Sequence, residues 1–218
     1  MSLEYLDVDF IGIIMTVGND EIFAIEHGIT CAYERPSFLA LGYFNIHVGG
    51  VRFGVNEPDA TAMANSVEEV SERIQRRGTH TAPFIAEDAS AAQIADSINH
   101  VIYAPDQEHR IFFGLSHRKF LDAIYRQHLI WAPDGDEAFD DGSTVIHIDV
   151  DDRVRLVAFR TIGYDHDPKT LRELWISSDS FYKVLSNWRD AFQRDYNEYP
   201  KHPNGFFHPS TFKIKTDV

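Results

Sequence analysis

In the first quarter of the chain, apolar residues fall at every second position or in short unbroken runs, and glycine-bearing turns separate them. Residues 10–17 (FIGIIMTV), 22–29 (IFAIEHGI) and 41–48 (LGYFNIHV) read as strands. The turn GND at 18–20 joins the first two, and Gly49 and Gly50 lead into a short continuation, VRFG. Paired glycines take positive φ without steric cost, as a tight hairpin requires. An antiparallel meander is expected.

The apolar period then shifts to three and four. Ser66 and Glu69 form a capping box ahead of SVEEVSERIQRRG, in which Val67, Val70 and Ile74 make one stripe. Ser90 and Gln93 cap a second helix, with Ile94, Ile98, Val101 and Ile102 as its buried face. A third, SHRKFLDAIYRQHLI, gathers Phe120, Leu121, Ile124 and Tyr125 on one side. Strands return at 144–160 and 171–177. A last helix, 180–196, carries Phe181, Val184, Leu185, Trp188 and Phe192. The stretch NEYPKHPNGFFHPS holds three prolines and a glycine, so 197–218 is expected to be an irregular tail. This order predicts an α+β protein, a single domain over 1–218, mainly an antiparallel sheet with about four helices packed on it.

Residues 133–160, PDGDEAFDDGSTVIHIDVDDRVRLVAFR, combine a hairpin with a concentration of acids. A two-residue loop at Asp151 and Asp152 would set Val150 against Arg153 and Ile148 against Arg155, mixing apolar and charged side chains on each face. A loop of 151–153 instead puts Ile146, Ile148, Val150, Val154, Leu156 and Ala158 on one face and sets Asp149 opposite Arg155. The second register is the expected one.

Chemistry is sparse. A calcium loop starting at Asp134 finds Asp136 and then Ala138, so its third ligand is missing. An Asp-x-Asp phosphotransfer nucleophile needs a buried parallel strand early in a large doubly wound domain, whereas 69 residues follow Asp149 and its strand is one arm of a hairpin. The eleven histidines include no His-x-His or His-Glu-x-x-His pattern. His47 and His147 read as ordinary strand residues, and Trp131, Trp175 and Trp188 as core. No phosphate-loop or nucleophile-elbow motif occurs. A single cysteine, Cys31, excludes an intrachain disulfide and suits a reducing cytoplasm; no distant histidine is marked as its partner. No cofactor or metal is expected.

Acidic residues number 34 against 20 basic ones, a net charge of −14. Such a surface repels nucleic acid and anionic membranes and steers basic proteins toward it. Acids precede the apolar stretch at 10–17 where a signal peptide carries positive charge, and no run approaches the ~20 apolar residues of a membrane span.

Two stretches, VGNDEIFAIE with LGYFNIHVGG, are similar to the opening of the immunity protein 42 family of bacterial polymorphic-toxin systems. EAFDDGSTVIHIDVDDRVRLVAFR and LRELWISSDSFYKVLSNWRDAF resemble C-terminal features of its longer members. The resemblance starts at Met15, covers most of the chain, and rests on strands, turns and a helix. It implies a non-catalytic cytoplasmic protein that binds and neutralises a cognate toxin domain. A homo-oligomer stays open. An enzyme or small-molecule binder with an unrecognised pocket is the alternative. The candidate contact residues are Asp134, Asp136, Glu137, Asp140, Asp141, Asp151 and Asp152, facing a basic toxin surface such as one that normally holds nucleic acid.

Overall fold

The computed structural model describes residues 13–132 and 137–202. In chain order the elements are β1 (Ile13–Asn19), β2 (Phe23–Tyr33), β3 (Ala40–Val48), β4 (Val51–Phe53), β5 (Thr61–Ala62), α1 (Met63–Gln75), α2 (Ala91–Tyr103), β6 (Ile111–Phe112), β7 (Leu115–Ser116), α3 (His117–Arg126) and β8 (Ile130–Ala132). A 3₁₀ turn (Glu137–Phe139) precedes β9 (Ser143–Val150), β10 (Arg153–Ile162), β11 (Asp165–His166), β12 (Arg172–Ser177), α4 (Ser178–Glu198) and β13 (Lys201–His202). The α+β class and the antiparallel pairing are as expected, but the strands divide over two main sheets and a small β6–β7 ribbon.

The first sheet is the anticipated meander, β1-β2-β3-β4. Cross-strand pairs Phe23 and Val48, Ile25 and Ile46, and His27 and Phe44 line its core face. Two short additions extend it: β5 pairs with β3, and β13 runs parallel to the end of β2. The tail expected from 197 therefore begins with the last turn of α4 and this pairing, and 203–218 lies outside the described residues. Pairing through β5 also explains why α1 starts at Met63 without a side-chain cap. The chain enters the helix straight from a strand, and Ser66, expected as the cap, is buried inside the first turns. The Ser90–Gln93 capping box is present as expected. On α3 Phe120 and Ile124 are buried, whereas Tyr125 is exposed.

The second sheet runs β11-β10-β9-β8, with β12 also on β10. Its central hairpin corrects the expected register. Val150 pairs with Arg153, Ile148 with Arg155 and Asp149 with Val154, so the loop is the two residues Asp151 and Asp152. Asp151 takes the left-handed conformation the turn needs, φ 51°. Asp149 and Arg155 consequently lie on opposite faces, and the expected pair between them does not form. The rejected register fails only if one face must be polar, and here neither is. Ile146, Ile148, Val157 and Phe159 pack against α2 and α3, while Val145, Val154, Leu156 and Ala158 pack toward α4 and the first sheet. A sheet covered on both sides gives no apolar segregation to choose a register by. Trp131 and Trp188 are core; Trp175 is half-buried, with Arg153 and Arg155 over its ring at 4.5 and 5.1 Å.

Gly42 marks the closest approach in the first sheet. A Cβ there would stand 1.8 Å from the Gly28 carbonyl oxygen, and one on Gly28 would stand 2.2 Å from the Tyr43 ring. Gly42→Ala should cost ~1–3 kcal/mol by overpacking, read as a lower thermal midpoint. A midpoint equal to that of the parent chain would show that β2 and β3 are not held this tightly.

Candidate functional site

The structure splits the acid-rich segment in two. Asp134 and Asp136 lie outside the described residues. Glu137 and Asp140 are exposed on the turn before β9, and Asp141 is half-buried there, accepting from Arg160 Nε at 2.9 Å and from the Ser143 amide at 3.0 Å. Asp151 and Asp152 are exposed at the other end of the same strand. Eight residues at ~3.3 Å each put ~25 Å between the two groups. The first sits against the segment after β4, whose Val55 amide donates to the Ala138 carbonyl at 2.7 Å. The second borders a shallow depression shared with Gly78, Arg77 and the start of α4, where Arg77 pairs with Asp179 and the Ser178 amide donates to the Asp152 carbonyl at 2.8 Å.

Sequence reasoning did not find the densest polar cluster, which lies under the second sheet. Arg73 of α1 is 1% exposed. It donates to the carbonyls of His128 and Ile130 at 3.1 and 2.6 Å and to His147 Nδ1 at 3.3 Å. Because a guanidinium only donates, His147 must accept at Nδ1, carry its proton on Nε2 and donate that to Asp149 Oδ1 at 3.2 Å. The same carboxylate accepts from Tyr182 of α4 at 3.0 Å and from the His80 amide at 3.1 Å. His80 packs against His147 at a tilt, ring centroids 4.5 Å apart, and its Nδ1 donates to the carbonyls of Gln127 and His128.

Electrostatics follow from this burial. Desolvation lowers His147 to about 3, outweighing the bond to Asp149, and lowers His80, with the Arg73 charge adding to the effect. Burial alone raises Asp149, but the bonds from His147, the His80 amide and Tyr182 outweigh it and hold the carboxyl below its ordinary range. Burial, and next the Asp149 charge, push the Tyr182 phenol up. Burial brings Arg73 down to about 10, so it keeps its charge at neutral pH. The cluster is thus Arg⁺, Asp⁻ and two neutral imidazoles, each group fixing the protonation of the next.

Other histidines are similarly engaged. His27, on the core face, stands 3.2 Å from Asp195 of α4 in an oblique contact and packs edge-on to Trp188 and Phe192; burial lowers it to about 4 against the pull of Asp195. His47 bonds Glu26 at 2.9 Å on the opposite face. Burial raises the Cys31 thiol, which disfavours the thiolate a nucleophile needs. Among the described residues no group of three His, Cys, Asp or Glu could hold a metal ion, and no helix is long and apolar enough to cross a membrane.

The inward-facing histidines and acids tie elements together, and the acidic candidates that are described sit on turns. The chain belongs to the immunity protein 42 family, whose sequence model matches residues 15–191. It is therefore an immunity protein of a toxin system. No curated protein matches it in sequence. Among solved structures it is similar to CdiI from Burkholderia dolosa AUO158, with a TM-score of 0.50 and 18% identity, over 83% of this chain and 99% of that one. The likeness is one of fold.

The pH dependence of stability follows. In the folded state His147 and His27 sit at about 3 and about 4, against 6.5 when unfolded. The unfolded chain therefore takes up these protons first as pH falls. Stability from these groups is complete above the unfolded value and is lost from there down toward the folded values. Each such proton contributes a slope of ~1.4 kcal/mol per pH unit. His147→Gln keeps a donor to Asp149 and should flatten the slope, measured by urea unfolding between about pH 7 and pH 5, by one proton. An unchanged slope would mean that His147 binds its proton equally well in the folded and unfolded chain.

Proposed function

We propose that this chain is a non-catalytic, cytoplasmic protein that neutralises its cognate toxin domain by covering a basic surface on it, with its own exposed acids turned toward that surface. The observation that carries this reading is the family match over residues 15–191. The net charge of −14 supports a basic protein partner and argues against nucleic acid or an anionic membrane. A lone, buried cysteine accords with a reducing compartment.

The two acidic groups have different parts in this reading, because ~25 Å of strand separates them. Glu137, Asp140, Asp141, Asp151 and Asp152, with Asp134 and Asp136, all add to the field that draws a basic partner in. Only one end needs to touch it. Long-range attraction raises the association rate and is weakened by salt, whereas contact sets the dissociation rate.

Where a large secreted toxin is encoded immediately upstream, co-expression with its C-terminal domain should rescue growth. Charge reversal at Glu137 and Asp140, and separately at Asp151 and Asp152, should slow association by roughly tenfold at low salt and shallow its salt dependence. If both sets left association and its salt dependence untouched, the acids would have no part in capture.

A further inference from the structure

Large apolar side chains stand in the open at one end of the second sheet. Ile162 and Tyr164, 63% and 48% exposed, flank Gly163 on the turn joining β10 to β11. Tyr103, 41% exposed, lies three residues beyond His100 on the face of α2 that meets this turn. The base of the turn is held on every side. His100 Nε2 bonds Asp165 at 2.8 Å, His166 Nδ1 and its amide bond Asp96 at 2.6 and 3.1 Å, and the Thr161 amide donates to the Gly142 carbonyl at 2.9 Å. Arg110 donates to His100 Nδ1 at 2.7 Å, which leaves Nε2 as the donor to Asp165.

The bond to Gly142 also brings the acidic turn alongside. Asp140 and Asp141 thus neighbour the apolar turn on one side, and Asp165 and Asp96 on the other. Arg110 and Arg160 reach this region and are engaged with His100 and with Asp141, while Asp165 and Asp96 accept from His100 and His166. The arrangement is an apolar centre inside a rim of carboxylates. At the opposite end of β9, Asp151, Asp152 and Asp179 are accompanied by no large exposed apolar residue among the described residues.

Resting on the reading of this chain as an immunity protein, we propose that Ile162, Tyr164 and Tyr103 anchor the toxin-docking surface, seating in an apolar pocket of the toxin domain whose rim is basic. Charge complementarity favours that occupant, because three exposed apolar side chains here stand among Asp96, Asp140, Asp141 and Asp165. Interface energy concentrates in a few buried aromatic and aliphatic anchors surrounded by polar residues that exclude water. A turn held by four hydrogen bonds loses little freedom on binding.

The test uses the full chain and a catalytically inactivated C-terminal domain of a secreted toxin whose growth arrest this chain relieves on co-expression, followed by surface plasmon resonance. Ile162→Ala with Tyr164→Ala should raise the dissociation rate by roughly 100-fold, as loss of two anchors does, while the thermal midpoint holds. Asp151→Asn with Asp152→Asn should leave dissociation unchanged. In the parent chain, hydrogen exchange of the 161–166 amides should slow when toxin is added. If the parent chain fails to bind the domain, the immunity reading for that toxin falls. If it binds, but the double alanine variant dissociates at the parent rate or the turn gains no protection, the docking surface alone is overturned. Loss of a parent dimer in the variant with toxin dissociation unchanged also overturns it, assigning the turn to self-association.

Discussion

A buried guanidinium organises the middle of this molecule. Arg73 reaches from α1 beneath the second sheet, donates to two carbonyls of the α3–β8 connection, lies over Trp131, and passes its hydrogen bonding through His147 to Asp149. Withdrawing a charge from water costs several kcal/mol, so such a group persists only where neighbours answer it, as they do here at both terminal nitrogens although Nε has no hydrogen-bond partner. The carbonyls supply acceptors, the imidazole transmits polarity without adding charge, and the carboxylate balances the cation. Tyr182 and the His80 amide close the far side. Four segments that are remote in sequence are thereby held in one relative arrangement.

This constraint also explains the composition of β9. With His147 and Asp149 committed to the cluster, the strand can place only Val145 and Ser143 otherwise on that face, and its apolar side chains Ile146 and Ile148 turn to α2 and α3. The partner strand answers in kind. Val154, Leu156 and Ala158 face α4, and Arg155 on the reverse face is held by the Ala89 carbonyl at 2.5 Å and by Glu173. Polar residues point inward on both sides of a sheet that is covered on both sides.

Much of the fold was legible because its causes are local. Turn glycines placed the meander, Ser90 and Gln93 placed α2, and the stripe from Phe181 to Phe192 placed α4. The hairpin register was not, because alternation identifies a face only when the two faces differ. Nor were β5, β8, β11 and β13 legible, since strands of two or three residues are defined by the partner they meet. The Arg73 cluster was hidden for a related reason. Arg73 and His147 are 74 residues apart, and each taken alone is an ordinary surface or strand residue. Of the acidic candidates, sequence could show that they occupy turns at the two ends of one strand, but not which neighbouring segments each turn meets.

The hairpin between β10 and β11 has a separate consequence. Its base is bonded to α2, to the turn before β9 and to β10 itself, whereas Gly163 has open space around it and Ile162 and Tyr164 project into solvent. Substitutions at Ile162 and Tyr164 therefore carry little folding penalty, whereas Gly163 at φ 64° is kept by its backbone and changes at the base disturb two neighbours at once. On the proposed docking reading, the residues displayed there can change while the mount that displays them is kept, which would decouple what is recognised from the fold.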